Sequence, residues 1–210
     1  MYQLILNRPL RRFFYFQKFV PFSYHGYFIV VNPVQQQAEI QEIEEAKRDL
    51  RKFEPLYKRY YEQILLFVYK RVEDIEDCRE LTAIVFANAI SNIKSYKHQG
   101  YPFSSWLYRI TINEINRYYN KRSKTRVISI SEKSLANIAE DSGDKAKEMQ
   151  VVLKKALMFL EPEELNLIEL RYFEDRSFSE IGEILEISEG NAKIKTYRVI
   201  DKLKSIYNKL

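Results

Sequence analysis

The stretch Phe178-Ser-Glu-Ile-Gly-Glu-Ile-Leu-Glu-Ile-Ser-Glu-Gly-Asn-Ala-Lys-Ile-Lys-Thr-Tyr-Arg-Val-Ile-Asp-Lys-Leu-Lys-Ser-Ile-Tyr207 reads as two helices joined by a tight turn. Ser177 stands three residues before Glu180, the capping-box spacing in which hydroxyl and carboxylate each satisfy a backbone N–H of the first turn. Ile181, Ile184 and Leu185 give the short first helix an apolar face. Glu186 and Ile187 turn the chain, and Ser188 is placed to cap a longer second helix. Ala192, Thr196, Val199 and Leu203 recur at helical spacing as its buried stripe, and Lys193, Lys195, Arg198, Lys202 and Lys204 occupy the remainder. That is the helix-turn-helix plan, whose second helix enters a DNA major groove. The plain alternative is a surface helix with a solvated basic face. Gly182 and Ala192 favour the first reading, because a tight helix crossing needs small residues. Glu186 breaks one local rule: it stands where the turn favours glycine, at a cost of about 1 kcal/mol if left-handed.

Charge is sorted along this region. From 161 to 189 the acids Glu161, Glu163, Glu164, Glu169, Glu174, Asp175, Glu180, Glu183, Glu186 and Glu189 face only Arg171 and Arg176. From 190 onward the balance reverses, and Asp201 stands alone among six lysines and arginines. A helix that meets phosphates is locally basic even where its domain is not.

A chain of 210 residues allows one domain or two small ones. Five glycines, six prolines and no sustained alternation predict an all-α fold. The net charge of +5 is modest, so the clustering of basic residues matters more than their total. The single cysteine, Cys78, excludes internal disulfides and fits a buried small hydrophobe in a reducing cytoplasm. His25 and His98 lie far apart without a second ligand at metal spacing. There is no phosphate-binding loop, dinucleotide turn or nucleophile elbow. No metal, cofactor or catalytic residue is therefore expected.

Residues 1–37 differ from the rest: Arg8, Arg11, Arg12 and Lys18 occur with no acid, amid a crowd of Phe and Tyr. Gln17, Lys18, Pro21 and His25 interrupt any run long enough to span a bilayer. A tail or translated leader, an interfacial anchor and an extra packed element all stay open, and residues 1–40 are expected to lie outside the fold. A helical pattern runs from Glu39 to Val72, with Pro55 its expected break. A second helix is predicted over Ile75–Ile93 with Leu81, Ile84, Val85 and Ala89 inward, and a third from Ser104 to about Lys121. Residues 127–148 are Ser-rich and acidic with weak periodicity, the composition of a tether. The helical pattern returns at Met149, and Pro162 opens a fresh helix at its first turn. The layout is thus a helical domain at 41–126, an acidic linker at 127–148 and a helix-turn-helix domain at 149–210.

Between the second and third helices, Tyr96, Tyr101, Phe103, Trp106, Tyr108, Tyr118 and Tyr119 interleave with Lys97, His98, Arg109, Arg117 and Lys121. Basic side chains track a backbone while aromatic faces stack on unpaired bases, at about 1–3 kcal/mol per base. Aromatic residues at helical spacing are, taken alone, more often core, and Trp106 is read that way. The segment Phe103-x-x-Trp106-Leu-x-x-Ile110-x-x-Asn113 resembles a signature of small bacterial sigma factors of the extracytoplasmic-function type. Leu157-x-x-Leu-x-Pro-x-Glu-x-x-x-Ile168 and the run from Leu170 to Gly182 resemble their promoter-reading C-terminal domain, and Ser188 to Lys193 the start of its recognition helix.

That resemblance implies a subunit that gives core RNA polymerase its promoter specificity. It implies core docking through the second helix, with Glu80, Phe86 and Asn88 as candidates. It assigns the −10 element, as a melted strand, to Lys97, Tyr101, Phe103, Ser104, Arg109, Asn113 and Arg117. It assigns the −35 element, as duplex, to Asn191, Lys193, Ile194, Lys195, Tyr197 and Arg198. The family commonly has an anti-sigma partner. Ala83 and Ile84 stand where it carries a Gln-Glu pair, and Thr196 where a larger aliphatic residue is usual. The competing reading is a stand-alone helix-turn-helix regulator of duplex DNA, which has no need of the aromatic-basic segment 96–121.

Overall fold

The computed structural model describes residues 33–72, 74–122, 151–153 and 155–210, and every regular element among them is helical. Helix α1 (Pro33–Arg48), a 3-10 turn (Leu50–Phe53), α2 (Glu54–Tyr69), α3 (Ile75–Asn92) and α4 (Phe103–Arg122) form the N-terminal bundle. A helical stretch within 151–157, α5 (Pro162–Ile168), a π turn (Glu169–Phe173), α6 (Phe178–Leu185) and α7 (Glu189–Tyr207) form the C-terminal one. The expected linker at 127–148 and the readings of residues 1–32 lie outside the described residues.

The pattern expected to break at Pro55 breaks earlier, at Asp49. Its backbone is extended and its carboxylate accepts from the Arg51 N–H, ending α1 and opening the 3-10 turn. Pro55 sits in the first turn of α2, where a missing N–H costs nothing. Asp74 caps α3 by accepting from the N–H groups of Glu76 and Asp77.

The boundary expected at residue 41 is also corrected. Helix α1 begins at Pro33, and Glu39 is buried within the fold. Its carboxylate accepts from Tyr60 Oη and from the Phe103 N–H at 3.2 Å, so α1 supplies the N-terminal cap of α4. Phe103 is the centre of an aromatic cluster, its ring centroid 5.2 to 6.3 Å from those of Phe53, Tyr60, Tyr96 and Trp106. Ile84, expected inward, is 37% exposed; Cys78, Thr82 and Phe86 turn inward instead, beside Leu81, Val85 and Ala89. Cys78 is fully buried.

The two bundles meet where α6 crosses α4. Arg71, just past α2, is buried at this junction, with its guanidinium 3.3 Å from the Phe67 ring centroid. It donates to the Phe67 carbonyl at 2.7 Å and pairs with Glu169 of the π turn.

Candidate nucleic-acid interface

The helix-turn-helix is built as its sequence dictates. Ser177 and Glu180 form the capping box of α6. Glu186 adopts the left-handed conformation at φ 56°, closing α6 without the glycine usual there. Ser188 Oγ accepts from the Asn191 N–H at 3.2 Å and starts α7. Gly182 sits against that turn: a Cβ there would lie 2.7 Å from the Ile187 carbonyl oxygen, so the crossing tolerates no side chain. Ala192, Thr196, Val199, Ile200 and Leu203 are buried against the domain.

The opposite face of α7 gathers Asn191, Lys193, Ile194, Lys195, Tyr197 and Arg198, all exposed. Ile194 and Tyr197 are 53% and 50% exposed, apolar groups within a basic surface. The Tyr197 ring leans on Phe178, centroids 5.9 Å apart, and the Arg171 guanidinium covers Phe178 at 4.9 Å. Cations with an amide can pair with phosphates and base edges, and an apolar side chain can meet a thymine methyl. The six residues expected to read duplex DNA thus form one surface.

The second set is less uniform. Arg109, Asn113 and Arg117 stand one turn apart along α4; Asn113 and Arg117 are exposed and Arg109 is half-buried. Lys97 is exposed and Tyr101 half-buried in the loop before α4. Phe103 and Ser104 are buried, the first in the aromatic cluster and the second beneath Arg176, so neither side chain is presented to a strand in this arrangement.

On α3, Glu80, Ala83 and Ile84 are exposed. Phe86 is 2% exposed and packs on Tyr57 and Tyr61, so its side chain supports the helix rather than a docking face. Asn88 faces inward to α4: its Nδ2 donates to Glu114 at 2.9 Å, and Glu114 pairs with Arg117 at 2.6 Å.

Sequence reasoning missed the polar groups between the bundles. Buried Tyr108 donates to Glu174 at 2.6 Å and accepts from Gln63 at 3.0 Å, while Lys70 pairs with Glu174 at 2.9 Å. Arg176 lies 4.8 Å from the Tyr108 ring centroid and donates to Glu180 and Ser104. Burial, then the Glu174 charge, pushes the Tyr108 hydroxyl well above its ordinary range. Burial opposes the charge on Arg176, but Tyr108 and Glu180 more than offset it and hold the guanidinium firmly protonated. No local periodicity marks the contacts between the bundles, since those partners are 66 to 104 positions apart.

Among the described residues there is no His, Cys, Asp and Glu group fit to hold a metal ion, and no helix long and apolar enough to cross a membrane.

Both helical domains match known families. Residues 56–125 match the family model described as Sigma-70 region 2, and residues 156–205 that described as Sigma-70, region 4. The chain is 26% identical over 155 residues to RNA polymerase sigma factor YlaC of Bacillus subtilis (strain 168), covering 72% of this chain and 89% of that protein. It is 25% identical over 157 residues to ECF RNA polymerase sigma factor SigM of the same strain, covering 73% and 94%. The solved structure of CnrH in complex with the cytosolic domain of CnrY shares the fold, with TM-score 0.55 and 18% identity over 80% of this chain and 95% of that one.

Proposed function

The chain belongs to the extracytoplasmic-function group of the sigma-70 family, a sigma factor that binds core RNA polymerase and directs initiation at a specific set of promoters, and we propose that its two domains divide promoter reading between duplex and single strand. Helix α7 reads the −35 element as duplex through Asn191, Lys193, Ile194, Lys195, Tyr197 and Arg198. The single observation that carries this reading is the emergence of those six side chains on one exposed face, opposite the buried stripe. Lys97, Tyr101, Arg109, Asn113 and Arg117 hold the unpaired −10 strand, with Phe103 and Ser104 shaping the loop behind them. Core docking falls to the exposed side of α3, where Glu80 stands beside Ala83 and Ile84, while Phe86 and Asn88 fix that helix to its neighbours.

The domain division at 126 and 149 stands with this reading, with the N-terminal domain extended back to Pro33. The protein has no chemistry of its own, needs no cofactor, and works in the cytoplasm, where polymerase and promoters are. CnrH was solved with the cytosolic domain of CnrY; a partner of that kind for this chain belongs to the proposal.

Run-off transcription from a genomic fragment library, with core polymerase in the presence and absence of the protein, tests the whole. New transcripts sharing two short upstream elements are expected. No transcripts, with tight salt-sensitive binding of the protein alone to particular duplexes, would point to a stand-alone regulator instead.

A further inference from the structure

Helix α4 begins after Gly100-Tyr101-Pro102, a stretch with no Ser, Thr, Asp or Asn to cap it. A proline ring offers no acceptor to the N–H groups of a first turn, which still need partners. The acceptor comes from α1, 64 positions earlier: Glu39 Oε2 takes the Phe103 N–H at 3.2 Å. Its other oxygen accepts from Tyr60 Oη, and Arg59 Nη1 lies 3.5 Å from it. Glu39 is 6% exposed, so these donors hold the carboxylate inside the bundle. Negative charge at that end of a 20-residue helix also suits its dipole.

The loop 97–102 is tied to α1 at its other end as well. Tyr96, just before the loop, is buried, its ring centroid 5.2 Å from that of Phe103 and 5.0 Å from that of Trp106. Lys47 of α1 sets its ammonium 5.8 Å from the Tyr96 ring centroid, while pairing with Glu44 at 2.6 Å. Between Glu39 and Lys47 in the chain, buried Ile43 and Ala46 fix α1 to the bundle. Lys97 and Tyr101, both assigned to the unpaired strand, thus ride on a loop whose two flanks answer to one helix. That helix lies before residue 56, where the match to Sigma-70 region 2 begins.

We propose that α1 braces the strand-reading loop and that Glu39 is its positioning residue: the carboxylate, anchored on Tyr60 and holding the Phe103 N–H, fixes where Lys97 and Tyr101 stand against the unpaired −10 strand. The proposal rests on the assignment of that loop to the strand. Glu39 itself touches no DNA. It removes loop conformations that a bound strand would otherwise have to freeze out, and preorganisation of that kind strengthens binding without adding a contact. Its effect therefore falls on discrimination between −10 sequences and not on core docking through α3.

The test uses the full chain assembled with core polymerase. The probe is a fluorescein-labelled single strand carrying the non-template −10 sequence, compared with a scrambled strand. Glu39→Ala is expected to lower the preference for the matched strand about tenfold, the scale of one charge-assisted hydrogen bond, with affinity for core unchanged. Glu39→Gln keeps an oxygen for the Phe103 N–H and should retain the preference; a loss as large as in Glu39→Ala overturns the hydrogen-bond account. Ile43→Val loosens α1 without touching the carboxylate and should retain the preference too. An unchanged preference in Glu39→Ala overturns the proposal. So does an equal loss in Ile43→Val, or a parallel loss of core affinity, since either would reduce α1 to a source of stability. Should Glu39→Ala not fold, Lys47→Met cuts the other tie, with an expected loss of about threefold; no loss there overturns the brace. Tyr101→Ala checks the assignment of the loop. If it spares the preference, that assignment fails, while hydrogen exchange over 96–103, expected to quicken in Glu39→Ala, still reports whether α1 holds the loop.

Discussion

Two single residues decide whether the C-terminal helix pair can close. Gly182 is required by contact rather than by backbone conformation, because a Cβ would sit 2.7 Å from the Ile187 carbonyl oxygen. Gly182→Ala must push the turn away, and an expected loss of about 1–3 kcal/mol, typical of overpacking, is checked by thermal unfolding. Glu186 is the converse, a side chain held at φ 56° where glycine relaxes without cost. Cys78 makes a sharper chemical statement. Burial first, and then the charges of Asp74 and Asp77, push its thiol up to about 11. The sign is simple: a raised value leaves less thiolate, the reactive form, at any given pH. At pH 8 the native protein should react with a disulfide reagent on the order of a hundredfold more slowly than the protein in guanidinium. Equal rates would show that the thiol is not held as described.

At the scale of elements, α7 carries the most direct functional prediction. Its inward stripe fixes which side faces outward, so Lys193 and Arg198 are presented whatever the rest of the molecule does. Lys193→Ala and Arg198→Ala should each weaken binding of the holoenzyme to a promoter carrying the −35 element by about 1–3 kcal/mol where the side chain meets bases. A change confined to phosphate contacts would instead be smaller, uniform across sequences, and visible as a reduced salt slope. Unaltered promoter affinity in both variants would remove α7 as the reader.

This helix was legible because caps, apolar stripe and turn all act within four residues of one another. Ser177, Ser188, Gly182 and the Ala192–Leu203 stripe were each placed from sequence by the same short-range chemistry that the structure uses. Helix α3 was harder. Ile84 and Phe86 flank Val85 in one short apolar run, and packing against Tyr57 and Tyr61 chooses Phe86 for the interior. The start of α1 was missed for a related reason: Glu39 looks like a surface acid until Tyr60 and the Phe103 N–H come to it from distant helices.

Across the whole molecule the sequence shows two domains but not how they meet. Arg71, Tyr108, Glu169 and Glu174 are ordinary in their local contexts, and their meaning comes from partners on the other bundle. The same reasoning sets a requirement on the chain between the bundles. Two element-reading domains, each with a radius near 12 Å by the usual size scaling, leave a gap of roughly 60 Å when the elements are about 85 Å apart on straight duplex. Residues 123–150 could extend to roughly 90 Å at about 3.3 Å per residue, sufficient with some slack. Cut to ten residues, the connection would reach only about 33 Å and could not bridge that gap. Such a deletion is expected to leave core binding intact, since α3 lies wholly within the N-terminal bundle. It should abolish the dependence of transcription on the −35 element, measured by run-off on templates with and without it. Retained dependence in the shortened chain would mean that the two domains read their elements from closer together than the duplex geometry allows, and would return the −35 assignment of α7 to question.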